Sequence, residues 1–418
     1  MSRLDAKQIR NLPLVDVKSV GVTYGSGVSS TIRTANTTAL TAALNNELNL
    51  FVSGIVEVNG TITLTNKNIC LHGMGLYSII RQTTDANLLV INQTTKSTDT
   101  NIYDLCLEAG GTFTTGVAIT HNGYGTQDNP DTIYQKPYAF FKGLTIKGQN
   151  NYVGASNTWT HEWKKGVVLS VPNRITFRDS TIQGASGTNN TTGTIGIELT
   201  TTRAAVESII DNVQVVNMQT GLKYTQSSVQ AAIEGLHIVN CSFISNWRSV
   251  DLLGSSAYVA PGWYITGCHF ASLEICLNIN NIGQGYIQDC LFYNYGNSTA
   301  GQTAAMIQMN TASDWHIANN KMYYQGNATP TNKPYGILVA GSASISAVAN
   351  NINHNYIVLY SSDTKPAIWL QNYAVNNKIF NNFRVGSNAT VISVSPDNTI
   401  INNTPYEAID GGVVAILA

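Results

Sequence analysis

Charge is what this sequence has least of. Only 11% of its 418 residues are Asp, Glu, Lys or Arg, against roughly 25% in an ordinary soluble domain. The formal net charge is −1 and the sequence pI is near 6.6, so the strongly basic surface that binds nucleic acid or an anionic membrane is missing. We therefore expect neither of these as a partner.

Long apolar runs and spaced cysteines are also missing. No stretch approaches the roughly 18 apolar residues of a membrane span, and residues 1–7 lack the apolar core of a signal peptide. We expect synthesis in a cytoplasm without such a peptide. The six cysteines are too few for a disulfide framework and fall in no metal-ligand spacing. They are expected to be small buried side chains, and no metal or cofactor is expected.

Familiar catalytic motifs do not occur either. The chain has no Gly-x-Ser-x-Gly elbow, no phosphate-binding loop and no His-Glu-x-x-His helix, which argues against esterase, kinase and metalloprotease functions.

A six-residue unit recurs along most of the chain. It reads apolar, any residue, then Asp, Asn or Gly, then a small or apolar residue, any residue, and an apolar residue. Its third position is occupied in turn by Asp104, Gly143, Asp179, Asn212, Asn240, Gly267, Asp289, Asn319, His354, Asn382 and Asn403. Asp, Asn and Gly tolerate a left-handed backbone, so each unit predicts two short strands joined by a sharp corner.

A second motif follows most of these units and supplies a third strand. It occupies residues 116–119, 166–169, 196–199, 221–224, 250–252, 336–339, 367–370 and 391–394. Three short strands per repeat predict an all-β fold, a single-stranded right-handed parallel β-helix of about a dozen turns. Its strands would lie about 4.8 Å apart along the axis.

Stacking of the turns predicts an internal column of side chains. Cys241, Cys268 and Cys290 take the same place in three successive units, and Asn320 and Asn355 take it in the next two. Stacked inward amides can hydrogen-bond along the axis, so that none is left unpaired.

The N-terminal part predicts a cap for the open end of the coil. Residues 36–50 have the pattern of a short amphipathic helix with Asn36 or Thr37 as N-cap. We therefore divide the chain into a neck or connector at residues 1–35, the capping helix at 36–50 and the β-helix at 51–418.

Several N-terminal segments carry a resemblance to a known family. Residues 15–22, 38–48, 54–60 and 68–75 resemble the opening of pectate-lyase-like phage tailspikes, and residues 3–13 are similar to the short neck before such domains. The resemblance implies a homotrimeric spike of the virion tail, joined to the tail or baseplate through its N-terminus. It also implies a protein that binds, and usually depolymerises, the capsule or O-antigen polysaccharide of a bacterial surface.

Paired carboxylates on the third-strand sheet are the candidate catalytic groups. Its outward positions, read turn by turn, are Ala118, Val168, Glu198, Lys223 and Asp251. Glu198 and Asp251 would stand two strands apart, on the order of 9–10 Å between backbones. Inverting glycosidases need about 6.5–9.5 Å between their carboxyl groups, with one as acid and the other as base. Lys223 between them could position an acidic sugar.

Flanking segments add candidate substrate-binding groups. Aromatic faces stack on sugar rings, and cations contact acidic groups. The candidates are His161, Trp163, Arg203, Glu207, Trp247 and Arg248. The tryptophans could equally pack against the sheet or a trimer interface, and the charged row could equally be a solvated ion-pair ladder.

Four functions stay open at this point. Glycoside hydrolysis is favoured by the carboxylate spacing. A polysaccharide lyase would instead need a base such as Lys223, His161 or a tyrosine, with a cation to neutralise the substrate carboxylate. A non-catalytic glycan-binding adhesin, or a purely structural spike, would need no carboxylate pair.

Overall fold

The fold is a single-stranded right-handed parallel β-helix, as the repeat predicts. The computed structural model describes residues 13–94, 98–124, 138–151, 159–185, 192–228, 231–255, 262–299, 302–324, 331–359, 365–385, 390–405 and 415–416. Each turn contributes one strand to each of three parallel sheets, and corners join the sheets. Among these residues, no helix has the length and apolar character to cross a bilayer.

Sheet 1 holds the first strand of each turn. Its separate strands are Val15–Asp16, Asn49–Phe51, Ala139–Lys142, His237–Val239, Trp263–Thr266, Gly285–Gln288, Trp315–Ala318, Asn351–Asn353, Lys378–Phe380 and Thr399–Ile401. Four longer strands begin in sheet 1 and bend through the corner into sheet 2, namely Ile69–Gln82, Thr100–Ala109, Ile175–Gln183 and Ile209–Val216.

Sheet 2 follows the corner, and sheet 3 completes each turn. The separate sheet 2 strands are Ile55–Val58, Thr145–Gly148, Leu291–Asn294, Lys321–Tyr324, Tyr356–Leu359, Phe383–Val385 and Thr404–Pro405. Two strands run from sheet 2 into sheet 3, namely Ser242–Leu253 and His269–Asn280. The remaining sheet 3 strands are Ile62–Thr65, Leu89–Asn92, Val117–Asn122, Lys165–Ser170, Ile195–Thr201, Thr220–Gln226, Ala305–Asn310, Tyr335–Ala340, Ile368–Leu370, Val391–Ser393 and Ala415–Ile416.

Two further short pairs lie outside these sheets. Ala205–Val206 pairs with Ile233–Glu234, and Ala347–Val348 pairs with Ala374–Val375.

Left-handed residues make the corners between sheets 1 and 2. Nine of the predicted corner residues, from Asp104 to His354, have φ between 50° and 66°. At the last two units the prediction is wrong by one residue, because the left-handed residues are Asn381 and Asn402. The strand register explains the shift: Ile352 pairs with Ile379 rather than with Phe380.

An inward amide column runs along the C-terminal turns. The side-chain nitrogen of Asn320 donates to Asn355, Asn355 donates to Asn382, and Asn382 donates to Asn403, each over 2.9 Å. The predicted cysteine column lies directly before it, and all six cysteines of the chain are buried and free. A second amide column, Asn350 to Asn377 to Asn398, was not foreseen from the sequence.

The capping helix begins earlier than predicted. It spans Ser30–Asn45 with Ser29 as N-cap, so neither Asn36 nor Thr37 caps it. Asn36 instead lies buried in mid-helix, where its amide donates to the carbonyl of Thr23 at 2.9 Å and to that of Glu57 at 3.0 Å. The amide therefore fastens the helix to the first turn of the coil.

The predicted neck is partly built into the first turn. Val15–Asp16 pairs with Leu50 and Phe51, and the 3₁₀ helix Val17–Val20 follows it. The part of the neck at residues 1–12 lies outside the described residues.

Buried ion pairs connect the cap to sheet 2. Glu57, Arg81, Glu108 and Lys147 stand on four successive strands and alternate in sign, with nitrogen–oxygen distances of 3.0, 2.7 and 3.0 Å. Arg33 of the capping helix also contacts Glu57, at 3.0 Å. Because each buried charge has an opposite neighbour, this row compensates the desolvation of its members.

The amide column predicts a large loss of stability for Asn355→Ala. This change removes the acceptor for Asn320 and leaves buried polar groups unpaired, so we expect the free energy of unfolding to fall by about 2–4 kcal/mol. Denaturant unfolding measures this. Asn310→Ala, on an outward position of sheet 3, is the matched control and should change stability by less than about 0.5 kcal/mol. Equal effects of the two changes would contradict the role of the column.

Buried His121 predicts a loss of stability in acid. Burial lowers the pKa of His121 from 6.5 to about 4, so the unfolded chain binds a proton that the folded chain does not. Stability should therefore fall by up to about 3 kcal/mol as pH drops from 6.5 to 4, and level off below. The free energy of unfolding of His121→Gln, measured over the same pH range, should fall less steeply. If its pH dependence is parallel to that of the unchanged protein, His121 is not the cause of the acid destabilisation.

Candidate functional site

One outward row of sheet 3 contains the predicted carboxylates. We call it the central row; its members, paired strand to strand, are Thr120, Val168, Glu198, Lys223, Asp251, Asn278, Gln308, Leu338 and Trp369. The residues beside Glu198 along its strand, Ile197 and Leu199, are buried in the core. Because side chains alternate along a strand, Glu198 faces outward. The structure thus places Glu198, Lys223 and Asp251 on three successive strands.

The start of this row differs from the sequence reading. Thr120, not Ala118, pairs with Val168, and Ala118 is fully buried. Ala118, rather than Gly116, aligns with Gly166 of the next strand. The outward position of this strand therefore lies two residues later than the sequence predicts.

Glu198 has a close cationic partner. The ammonium nitrogen of Lys165, on the preceding strand, lies 2.5 Å from Oε2 of Glu198, and the glutamate side chain is only 12% exposed. The pairing of Lys165 with Glu198 was not foreseen from the sequence, because Lys165 stands three positions before the row on its own strand.

Asp251 has two donors. The amide of Asn278 donates to its Oδ1 at 2.7 Å, and the guanidinium of Arg248 lies 3.4 Å from its Oδ2. Arg248 in turn makes a bidentate contact with Glu274, at 2.5 and 2.7 Å, and this hydrogen bonding raises the pKa of Arg248. The sequence names Arg248 as a substrate-binding candidate; in the structure its guanidinium contacts Glu274 and Asp251, and its role toward a substrate stays a prediction.

Lys223 lies between the two carboxylates in the row. Among the described residues it has neither a hydrogen bond nor an ion pair, which leaves its ammonium group available to a ligand. Over the same residues, no three His, Cys, Asp or Glu side chains are grouped so as to hold a metal ion.

Three of the predicted aromatic contacts are largely covered. Trp163 is 2% exposed, its indole donates to the carbonyl of Leu107 at 3.2 Å, and it packs edge-on against Phe113. Trp247 is also buried, and His161 is half-buried. A sugar ring cannot stack on Trp163 in this conformation, because its faces are packed in the core.

The remaining predicted contacts lie at another corner. Arg203 and Glu207 follow the end of the Ile195–Thr201 strand, beyond the central row, and both are exposed. Glu207 pairs with Arg174 at 3.5 Å. The structure therefore does not bring Arg203 and Glu207 together with Glu198 and Asp251.

Sheet 1 carries an exposed aromatic row that sequence reasoning missed. His237, Tyr264, Tyr286 and His316 stand on successive strands. The first three rings stack at centroid distances of 4.6 and 5.4 Å with interplanar angles of 11° and 5°. Because these rings face one another, they present edges rather than faces to solvent, and a sugar could not stack on them.

Comparison with known proteins supports the fold. No family model and no curated protein sequence matches the chain. The A-module of mannuronan C-5 epimerase AlgE6 from Azotobacter vinelandii is 13% identical, with a TM-score of 0.66, over 94% of this chain and 100% of that one. An N-terminal fragment of bacteriophage phi29 gene product 12 is 14% identical, with a TM-score of 0.61, over 93% and 70%. The Streptococcus pneumoniae surface adhesin PfbA is 14% identical, with a TM-score of 0.61, over 96% and 99%. At these identities, the comparisons establish the shared β-helix.

The arginine–carboxylate cluster predicts a stability effect. Arg248→Met leaves the nearly buried carboxylate of Glu274 without its cation, so we expect a loss of about 2–3 kcal/mol in the free energy of unfolding. Arg174→Met, which breaks the exposed pair with Glu207, is the matched control and should cost less than about 0.5 kcal/mol. Denaturant titration distinguishes the two variants. If Arg248→Met leaves the free energy of unfolding unchanged, Arg248 does not stabilise the buried carboxylate of Glu274.

Proposed function

We propose that this protein binds a bacterial surface polysaccharide along sheet 3 and cleaves it by glycoside hydrolysis. The observation that carries the proposal is the in-register pairing of Glu198, Lys223 and Asp251, which puts two carboxylates in one outward row, two strands apart. Two strand spacings amount to about 9.6 Å. After allowance for side-chain reach, this suits an inverting reaction, in which water enters between the sugar and the base.

The contacts of the two carboxylates suggest their roles. Asp251 is held in position by Arg248 and Asn278, and we assign it as the base that takes a proton from water. Among the described residues, Glu198 has one ion-pair partner, Lys165. A sugar entering between these two side chains would separate them. Glu198 would then protonate the leaving glycosidic oxygen.

Lys223 is proposed to select the substrate. Its ammonium group, which lies between the carboxylates and has no partner among the described residues, would contact an acidic group of the polysaccharide. That contact would also offset the repulsion that an anionic sugar meets beside Glu198 and Asp251.

The biological setting is proposed from the family resemblance. The N-terminal segments similar to phage tailspikes support a homotrimeric spike of the virion tail, with its N-terminus joined to the tail or baseplate and its β-helix acting on the host surface. The shared fold with a mannuronan epimerase module and a phage protein fragment is consistent with this proposal.

Elimination is the second candidate reaction, and a specific observation favours it. Each carboxylate already has a cationic partner, Lys165 for Glu198 and Arg248 for Asp251. Lys223, in contrast, has no hydrogen bond or ion pair among the described residues. In a lyase, the amine of Lys223, after loss of its own proton to solvent, would take the proton next to the uronate carboxyl group, and the glycosidic oxygen would leave as the double bond forms.

The test uses purified protein and a panel of capsules and O-antigen polysaccharides. New reducing ends without the ultraviolet absorbance of an unsaturated uronate indicate hydrolysis, and Glu198→Gln or Asp251→Asn should then lower the rate at least about 100-fold. Glu207→Gln, at the distant corner, is the control and should keep full activity.

Other outcomes would contradict the hydrolysis proposal. An unsaturated product that is lost in Lys223→Met would indicate a lyase. Binding without any new chain ends would indicate an adhesin.

A further inference from the structure

The central row continues past the carboxylates and changes its chemistry. Asp251 pairs with Asn278, and Asn278 pairs with Gln308. Leu338 and Trp369 follow on the next two strands. Along one sheet the outward groups therefore pass from charged side chains to neutral amides and then to an apolar and aromatic end.

The two amides carry acceptors without a donor. Asn278 is 6% exposed, and its nitrogen donates to Asp251 at 2.7 Å, which fixes the orientation of the amide. Its Oδ1, and Oε1 of Gln308 on the next strand, are buried atoms that accept no hydrogen bond from any described residue. Buried acceptors are normally satisfied, and leaving one without a donor is unfavourable by about 1–3 kcal/mol.

Aromatic side chains lie beyond the amides. Trp369 is partly exposed and lies against Tyr335, with ring centroids 5.3 Å apart and planes inclined by 37°. The ammonium group of Lys365 lies 4.8 Å from the Tyr335 ring centre and 3.2 Å from its hydroxyl. On the next strand Ile392 pairs with Trp369, so among the described residues Trp369 is the last aromatic side chain of this row.

We propose that Asn278 and Gln308 form a subsite that binds the hydroxyl groups of a neutral sugar unit, next to the unit that is cleaved. Sugar hydroxyls supply the missing donors at adjacent positions along the row, and Trp369 binds the face of a further sugar. The inference rests on the proposed function and deepens it. From Glu198 to Trp369 the row covers six strand spacings, about 29 Å, so the protein would grip a polymer over several units and cleave within it.

The test compares Gln308→Met with Gln288→Met, which replaces an outward glutamine of sheet 1. Met keeps the size of Gln and removes the acceptor. Affinity for the polysaccharide found in the panel, measured by calorimetry, should fall about 10-fold in Gln308→Met, the equivalent of one lost hydrogen bond. Gln288→Met should bind as the unchanged protein does. Trp369→Ala should abolish the gain in affinity with oligosaccharide length.

Stability supplies a second readout. Without ligand, the unfolding midpoint of Gln308→Met should stay the same or rise, because an unsatisfied buried acceptor has been removed. A lower midpoint would mean that the acceptor is satisfied within the fold, and the inference would be overturned.

The outcomes of these experiments distinguish failure of this inference from failure of the proposed function. Normal polysaccharide binding by Gln308→Met overturns the subsite alone. Binding that depends on Gln308 but yields no cleavage overturns hydrolysis alone, whereas failure to bind any polysaccharide overturns both. Affinity that is lost on chelation and restored by calcium would assign the two oxygens to a cation instead of to sugar hydroxyls.

Discussion

In-register pairing between successive turns is the constraint on which the rest of this structure depends. Each residue lies above its counterpart one strand spacing away, so side chains are selected as columns rather than singly. Inside the coil, a polar side chain is tolerated when its neighbour above or below completes its hydrogen bonds, as in the column from Asn320 to Asn403. Phe243, Phe270 and Phe292 stack in the same way on consecutive turns. Packing and polar satisfaction therefore have the same geometric origin.

On the outer surface the same constraint sets charges side by side. Like charges on adjacent strands would repel each other at about 4.8 Å, and two charged rows avoid this by alternation. Glu57, Arg81, Glu108 and Lys147 alternate along sheet 2, and Glu198, Lys223 and Asp251 alternate along sheet 3. In the sheet 2 row, the end residue Glu57 is paired with Arg33 of the capping helix. In the sheet 3 row, Lys223 stays unpaired among the described residues. This difference separates a row that stabilises the fold from one able to receive a ligand.

The fold could be predicted because the corner leaves a strong local pattern, and the errors occur where that pattern is ambiguous. In the last two units two apolar residues precede two asparagines, so Ile379 and Phe380 both fit the first position, and only the register distinguishes them. The candidate site was harder to predict from the sequence than the fold. Spacing could align Glu198 with Asp251, but the partners Lys165, Glu274 and Asn278 follow from side-chain conformation. Likewise, only folding reveals that Trp163 turns back onto Phe113.

Because of the corner residues, distances along the coil axis are counted in whole turns, each of which adds one strand spacing. The turns from Asp104 to Asn402 pass from sheet 1 to sheet 2 through the same left-handed backbone geometry, so adding or removing a whole turn there preserves the columns on both sides. The separation of Glu198 and Asp251 is consequently a whole number of strand spacings, set by the single turn that bears Lys223. Loss of that turn would place the two carboxylates on neighbouring strands. Their separation would then approach the roughly 5 Å of retaining glycosidases, so the number of turns between two acids can determine the stereochemistry of a reaction.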